Sequence, residues 1–454
     1  MFSRLSKLST VVPKTLYAFG ASVLLMPLSL VSGVLIARTI GPDGKGVLDV
    51  LLATGGMLVM ILGLSLSPGV TYVVAKGNAN LRSLTLRLLV VAAVQFATSL
   101  IILFVISRTR YSSTFLIKKA GLWVIGPVAV YVILEILNGH WRAMLVGRHQ
   151  IISVNNVDII SKLTNFGLLV VAALGLAAIG GRLSAVFLFA IAIMVSALVN
   201  LALLIKLRPL FKQLLGSASL PEVVRFALPC YLGNLAQFLN YRLDVFIVSA
   251  FAGYASVGRY TLAVGLAQLL WLLSNAAATV LLPKVAAAHD ADQVGHVSRI
   301  TRLVLVSTLV GALVLGVVST QLIPLLYGKG FNGSVPALLW ILPGIIAFST
   351  VNVLAAYLAG IGKPRLNLYV SVISLTVTIT LDILLIPRFD IVGASIASTV
   401  SYTLSAIMTI VLFMRESGAR LRMLVLPTAE DVSFALNIAQ PLFKHRFAAR
   451  TGVV

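Results

Sequence analysis

Four polar side chains, Asn234, Gln237, Tyr241 and Asp244, fall at i, i+3, i+7 and i+10 within an otherwise apolar run. On a helix that spacing makes one continuous stripe, and such a stripe must face protein or water. Arg242 lies 100° round from Tyr241 and so lines a different surface. It can reach an acid on a neighbouring helix, with Glu135 or Asp244 as candidates, or point into a central cavity. An unpaired guanidinium there attracts phosphate, whose oxygens match its fork. Glu135, Asn138 and Arg142 share a second face at i, i+3 and i+7; Asp158, Lys162 and Asn165 repeat that spacing, with Asp158 and Lys162 set as an ordinary i, i+4 pair. These groups suit binding and ion coupling rather than bond making.

Other chemistry finds no support. Gly41-Pro42-Asp43-Gly44-Lys45-Gly46 has a G-x4-G spacing, but Val47 and Leu48 stand where a phosphate-binding loop needs Lys and Ser or Thr, so the segment reads as a turn. The histidines at 140, 149, 289, 296 and 445 show no metal-ligand spacing. Cys230 is the sole cysteine, which excludes an internal disulfide framework. No cofactor is expected.

The elements that must position these residues follow from composition. Of 454 residues, 59% are apolar and 11% charged, with mean hydropathy +1.05. So few charges cannot cover the surface of a water-soluble protein of this length. Apolar stretches of about 20 residues recur at 15–37, 47–67, 84–107, 120–145, 157–179, 183–205, 226–252, 257–282, 301–325, 336–360, 367–387 and 392–414. The expected fold is an all-α, polytopic membrane protein of about 12 transmembrane helices. Net charge is +22, and 23 of the 35 Lys and Arg fall on the side of the N-terminus against 10 opposite. The positive-inside rule absorbs that excess without nucleic acid and puts both termini in the cytoplasm. The connection after residue 107 dissents, with Arg108, Arg110, Lys118 and Lys119 on the outer side.

Glycines disclose a repeat. Gly41 and Gly46 recur as Gly253 and Gly258, and Gly181 as Gly393, at an offset of 212; Pro68 and Gly147 recur as Pro283 and Gly362 at 215. Two pseudo-repeated six-helix lobes follow, 15–205 and 226–414, after an N-terminal segment 1–14 and joined by a cytoplasmic linker 206–225. In the basic tail 415–454, Thr428 and Asp431 resemble a capping box and open a short interfacial helix.

Ala37-Arg38-Thr39-Ile40-Gly41-Pro42, ending in Gly46, resembles the turn after the first helix of Wzx-type polysaccharide and O-antigen flippases, in the multidrug/oligosaccharidyl-lipid/polysaccharide exporter superfamily. Tyr241-Arg242-Leu243-Asp244 with Gly253, Gly258 and Tyr260 is similar to their seventh-helix signature, and Arg142, Gly147-Arg148 and Gly360-x-Gly362-Lys363-Pro364 agree by position. The similarity covers roughly 10–415. It implies transport, not catalysis: a polyprenyl-diphosphate-linked oligosaccharide crosses a bacterial inner membrane to its outer face for exopolysaccharide or O-antigen assembly. Membrane lipids surround the protein, and a glycan polymerase and a chain-length regulator are candidate partners. Carried over by position, Arg38, Arg142, Arg242 and Asp244 are the implied site, with coupling to H+ or Na+ and Asp244 or Glu135 as coupling or structural acid. Asn138, Asn234, Gln237 and Tyr241 complete the polar lining. A multidrug or cation antiporter of the same superfamily is the rival, kept alive by Asp244, Glu135 and Asp382 although the first segment, 15–37, holds no acid. A membrane polymerase or glycosyltransferase would show a large extramembrane loop, and none is evident.

Overall fold

Gly41 interrupts the first helix with φ 67° and ψ −177°, a region that glycine enters without steric cost. Pro42 follows, with its φ preset for a new first turn and no N–H to lose. A second break repeats this at Gly253, φ 80° and ψ 179°. The computed structural model describes residues 2–76, 80–116, 122–178, 180–181, 183–212, 220–287 and 293–426, the backbone alone in 2–24, 229–230 and 283. The tail helix expected after Thr428 lies outside them.

Among the described residues the chain is helical, without strands. In order run α1 (Phe2–Gly63), α2 (Leu66–Ala75), α3 (Leu81–Arg108), α4 (Ser112–Phe115), α5 (Ile125–Gly147), α6 (Ile151–Ala178) and α7 (Ala185–Leu207). There follow α8 (Leu220–Gln268), α9 (Leu272–Ala287), α10 (Gln293–Tyr327), α11 (Ser334–Gly360), α12 (Pro364–Ser417) and α13 (Arg422–Val425). Among the described residues, eight helical stretches are long and apolar enough to cross a membrane. Three of these contain a break, at Gly41, Gly253 and Asp390. Separating their halves and adding the 23-residue α5 gives the twelve crossings anticipated.

By packing, the chain divides into two units that cut across the sequence repeat. The first comprises Met1–Ala263, Gln321–Ala337 and Ile379–Ala394. Its core gathers around α5, where Val128, Ala129, Val132, Met144 and Leu145 are wholly buried against Val70 of α2, Leu84 and Leu88 of α3 and Leu203 of α7. The helices around it keep apolar faces outward, Val90, Val94 and Ile101 on α3 and Ile160, Val171 and Leu174 on α6, as hydrocarbon requires. The second unit comprises Val264–Thr320, Leu338–Thr378 and Ser395–Val454. Trp271, Phe348 and Tyr402 cluster there with ring centroids 4.9 to 5.6 Å apart, and Ser374 and Thr378 of α12 hydrogen-bond Ser401 at 2.7 and 2.6 Å.

One pairing of the repeat needs correction. A Cβ on Gly147 would lie 2.8 Å from Val74, and one on Gly360 would lie 2.8 Å from Val285. The packing partner of Gly147 in the repeat is therefore Gly360, not Gly362. Gly362, with φ 80°, matches His149, itself left-handed at φ 59°. Both end their helices alike.

Candidate functional site

The polar stripe on α8 splits along its length. Asn234 and Gln237 are exposed; Asn234 reaches Ser65 at 3.4 Å, and Gln237 donates to the Tyr241 hydroxyl at 2.8 Å. Asp244 is buried at 4% exposure. It accepts from the Tyr260 hydroxyl at 2.5 Å and from the amide of Val245 at 2.7 Å. Tyr260 reaches it because Gly253 turns the chain back on itself between the two.

A second buried carboxylate lies on α12. Asp382, on the first half of α12, is 0% exposed, and neither carboxylate oxygen has a hydrogen-bond partner. A buried carboxylate with no hydrogen bond is costly in a helix that crosses hydrocarbon. Asp382 was legible only as an acid inside an apolar run.

Arg242 is exposed and, among the described residues, has no hydrogen-bond or ion-pair partner, Glu135 and Asp244 included. Glu135 itself accepts from Ser196 of α7 at 2.7 Å. Arg242 therefore stands, among the described residues, as an exposed cation with no bonded acid on a membrane-spanning helix.

Arg142 is tied down. Its Nε donates to Asn138 at 2.6 Å and its Nη1 pairs with Asp158 of α6. The i, i+4 pair expected between Asp158 and Lys162 is thus replaced by a bridge between helices. Lys162 is exposed and unpaired. The bridge joins α6 to α5, and among the described residues Lys162 takes no part in it. Arg38 donates to the carbonyl oxygens of Leu325, and of Leu326 at 2.6 Å, near the C-terminal end of α10, where unpaired carbonyls favour a cation. Among the described residues no group of three His, Cys, Asp or Glu could hold a metal ion.

Broken membrane-spanning helices carrying buried acids and an exposed arginine define a multi-pass membrane protein. The chain belongs to the polysaccharide biosynthesis protein family, whose sequence profile matches residues 11–289. It is 29% identical over 194 residues to the "Probable flippase AglR" of Haloferax volcanii, covering 40% of this chain and 39% of that protein. It is 27% identical over 267 residues to the "Probable multidrug resistance protein NorM" of Thermotoga maritima, covering 54% and 56%. The chain thus spans about half the length of these relatives or less. The fold is similar to that of the lipid II flippase MurJ in an inward closed conformation, with a TM-score of 0.72 at 14% identity, over 97% of this chain and 93% of that one. It is also similar to an inward-facing multidrug resistance MATE family transporter, with a TM-score of 0.68 at 14% identity, over 86% and 94%.

Proposed function

We propose that this chain is a flippase that carries a polyprenyl-diphosphate-linked oligosaccharide from the cytoplasmic to the outer face of a bacterial inner membrane by alternating access, with both termini cytoplasmic and the lobes 15–205 and 226–414 rocking. The observation that carries this reading is Arg242, among the described residues an exposed guanidinium with no acid bound to it on a membrane-spanning helix. Such a group costs several kcal/mol in hydrocarbon unless it serves water or an anion. A diphosphate supplies matching oxygens. Asn234, Gln237 and Tyr241 on the same helix offer hydrogen bonds to sugar hydroxyls, Arg142 with Asn138 and Asp158 fixes α5 to α6, and Arg38 anchors the end of α10. The glycan polymerase and chain-length regulator of the same assembly line are the partners that would take the product.

The second reading, a cation or drug antiporter, is favoured by the buried acids Asp244 and Asp382 and by the NorM relative. In the flippase the same acids serve coupling to H+ or Na+. Transport of fluorescent lipid-linked glycan in vesicles separates the two. Arg242→Glu should abolish it at equal protein level while Arg242→Lys keeps part. Full glycan transport by Arg242→Glu, together with loss of cation-driven drug efflux in Asp244→Asn, would hand the assignment to the antiporter.

A further inference from the structure

Gly46 and Gly258 do more than recur. A Cβ on Gly46 would lie 1.7 Å from the carbonyl oxygen of Tyr254, and one on Gly258 would lie 2.1 Å from the carbonyl oxygen of Pro42. Pro42 and Tyr254 are themselves 212 apart, as are Gly46 and Gly258. The contact is reciprocal, each turn presenting its glycine to the other's carbonyl, so a local two-fold axis passes between them. Only glycine permits backbones this close.

One turn further along, Asp49 meets Thr261, again 212 apart. The Thr261 hydroxyl donates to Asp49, and Lys45 donates to Asp49 at 2.5 Å and to Thr261 at 3.1 Å. Around this centre each turn grips the other half of the repeat. The Tyr254 hydroxyl donates to the carbonyls of Ser113 at 2.8 Å and Leu116 at 3.0 Å. The ring of Pro42 lies 3.2 Å from where a Cβ on Gly330 would stand, and Arg38 holds Leu325 and Leu326.

We propose that the two glycine turns, fastened by Lys45, Asp49 and Thr261, are a latch that shuts one end of the α1–α8 contact and must part once in every transport cycle. The inference rests on the transporter reading, in whose orientation this is the outer end. Two features suit a latch that reopens. The contact is made by the backbone at Gly46 and Gly258 and by the Thr261 hydroxyl. Lys45 and Asp49 also lie at i, i+4 on one helix, so they stay paired when Thr261 leaves and no charge is stranded.

The test uses the full chain in membrane vesicles with Cys230→Ser as background. In Asp49→Cys/Thr261→Cys, oxidant should join the pair, cut glycan transport at least tenfold, and dithiothreitol should restore it. Full transport through a completely joined protein overturns the latch, and so does failure of the pair to join. A readout without cargo keeps the two proposals apart. Val257→Cys, at a wholly buried position equivalent to Lys45, should label slowly with a membrane-impermeant maleimide. Adding Gly46→Ala or Gly258→Ala should raise that rate at least fivefold. Gly33→Ala, where a Cβ would meet nothing within 4 Å, should leave it unchanged. Equal rates in all of them overturn the latch whatever the cargo. Accelerated labelling with no glycan moved by any variant leaves the latch standing and removes the flippase reading.

Discussion

The two ends of the contact between α1–α2 and α8 are built differently. At the glycine turns, backbone meets backbone twice in a reciprocal arrangement, and Lys45 and Asp49 are only 15% and 18% exposed. At the far end Gly69 makes a single close approach, its would-be Cβ 2.2 Å from the Val223 carbonyl, and side chains do the rest. Tyr72 stacks on Phe226 at 4.3 Å, and Lys76 pairs with Glu222 at 2.9 Å, both half exposed. Long side chains can follow a moving partner, whereas a glycine seated under a carbonyl is either seated or not. The first end behaves as a two-position element and the second as a compliant one.

The largest effect should come from steric insertion at the turns. Gly46→Ala should lower transport tenfold or more with the protein still folded, while Gly69→Ala, pressing on the first turns of α8, should lower it by no more than a few-fold. Equal losses would break the contrast. Next, Gly253→Ala forces a side chain into φ 80° and ψ 179°, a strain of about 1–3 kcal/mol, which thermal unfolding in detergent should register as a lower Tm. An unchanged Tm would mean the break relaxes. Arg38→Ala removes charged donors from the end of α10 and should cost about 1.5–3 kcal/mol on the same assay, with Lys recovering part.

The smallest effect belongs to the exposed end. Hydrogen bonding to Glu222 raises the Lys76 pKa, so the pair's contribution is fully present below the ordinary lysine value and is lost as pH climbs through the raised one. Glu222→Gln should move the titration of a methyl-labelled Lys76 back down, read by NMR, without a measurable change in Tm. A large drop in Tm would show that this end is not compliant.

Most of the fold could be read from residue order because hydrocarbon tolerates so few arrangements: twenty apolar residues in a row have little choice but to span as helix. Gly41 and Gly253 were visible because a left-handed break advertises itself by glycine. Contacts across helices were not. Asp158 has Lys162 as its sequence neighbour and Arg142 as its partner, and only the packing of α5 on α6 decides between them. Asp244 lay on a predicted stripe, yet Tyr260 reaches it only through a chain reversal. The pairing of Gly147 slipped by two residues because glycine alone does not mark a register; its contact with Val74 does.

The meeting of Asp49 with Thr261 bears on the history of the duplication. In a symmetric assembly of separate halves, a position on the axis confronts its own copy, acid against acid or hydroxyl against hydroxyl. Here the copies differ, and a carboxylate accepts from an alcohol. Covalent fusion of the halves is what allows such unlike twins, so severing the chain and assembling two identical fragments would place like charges face to face where this protein now has a hydrogen bond.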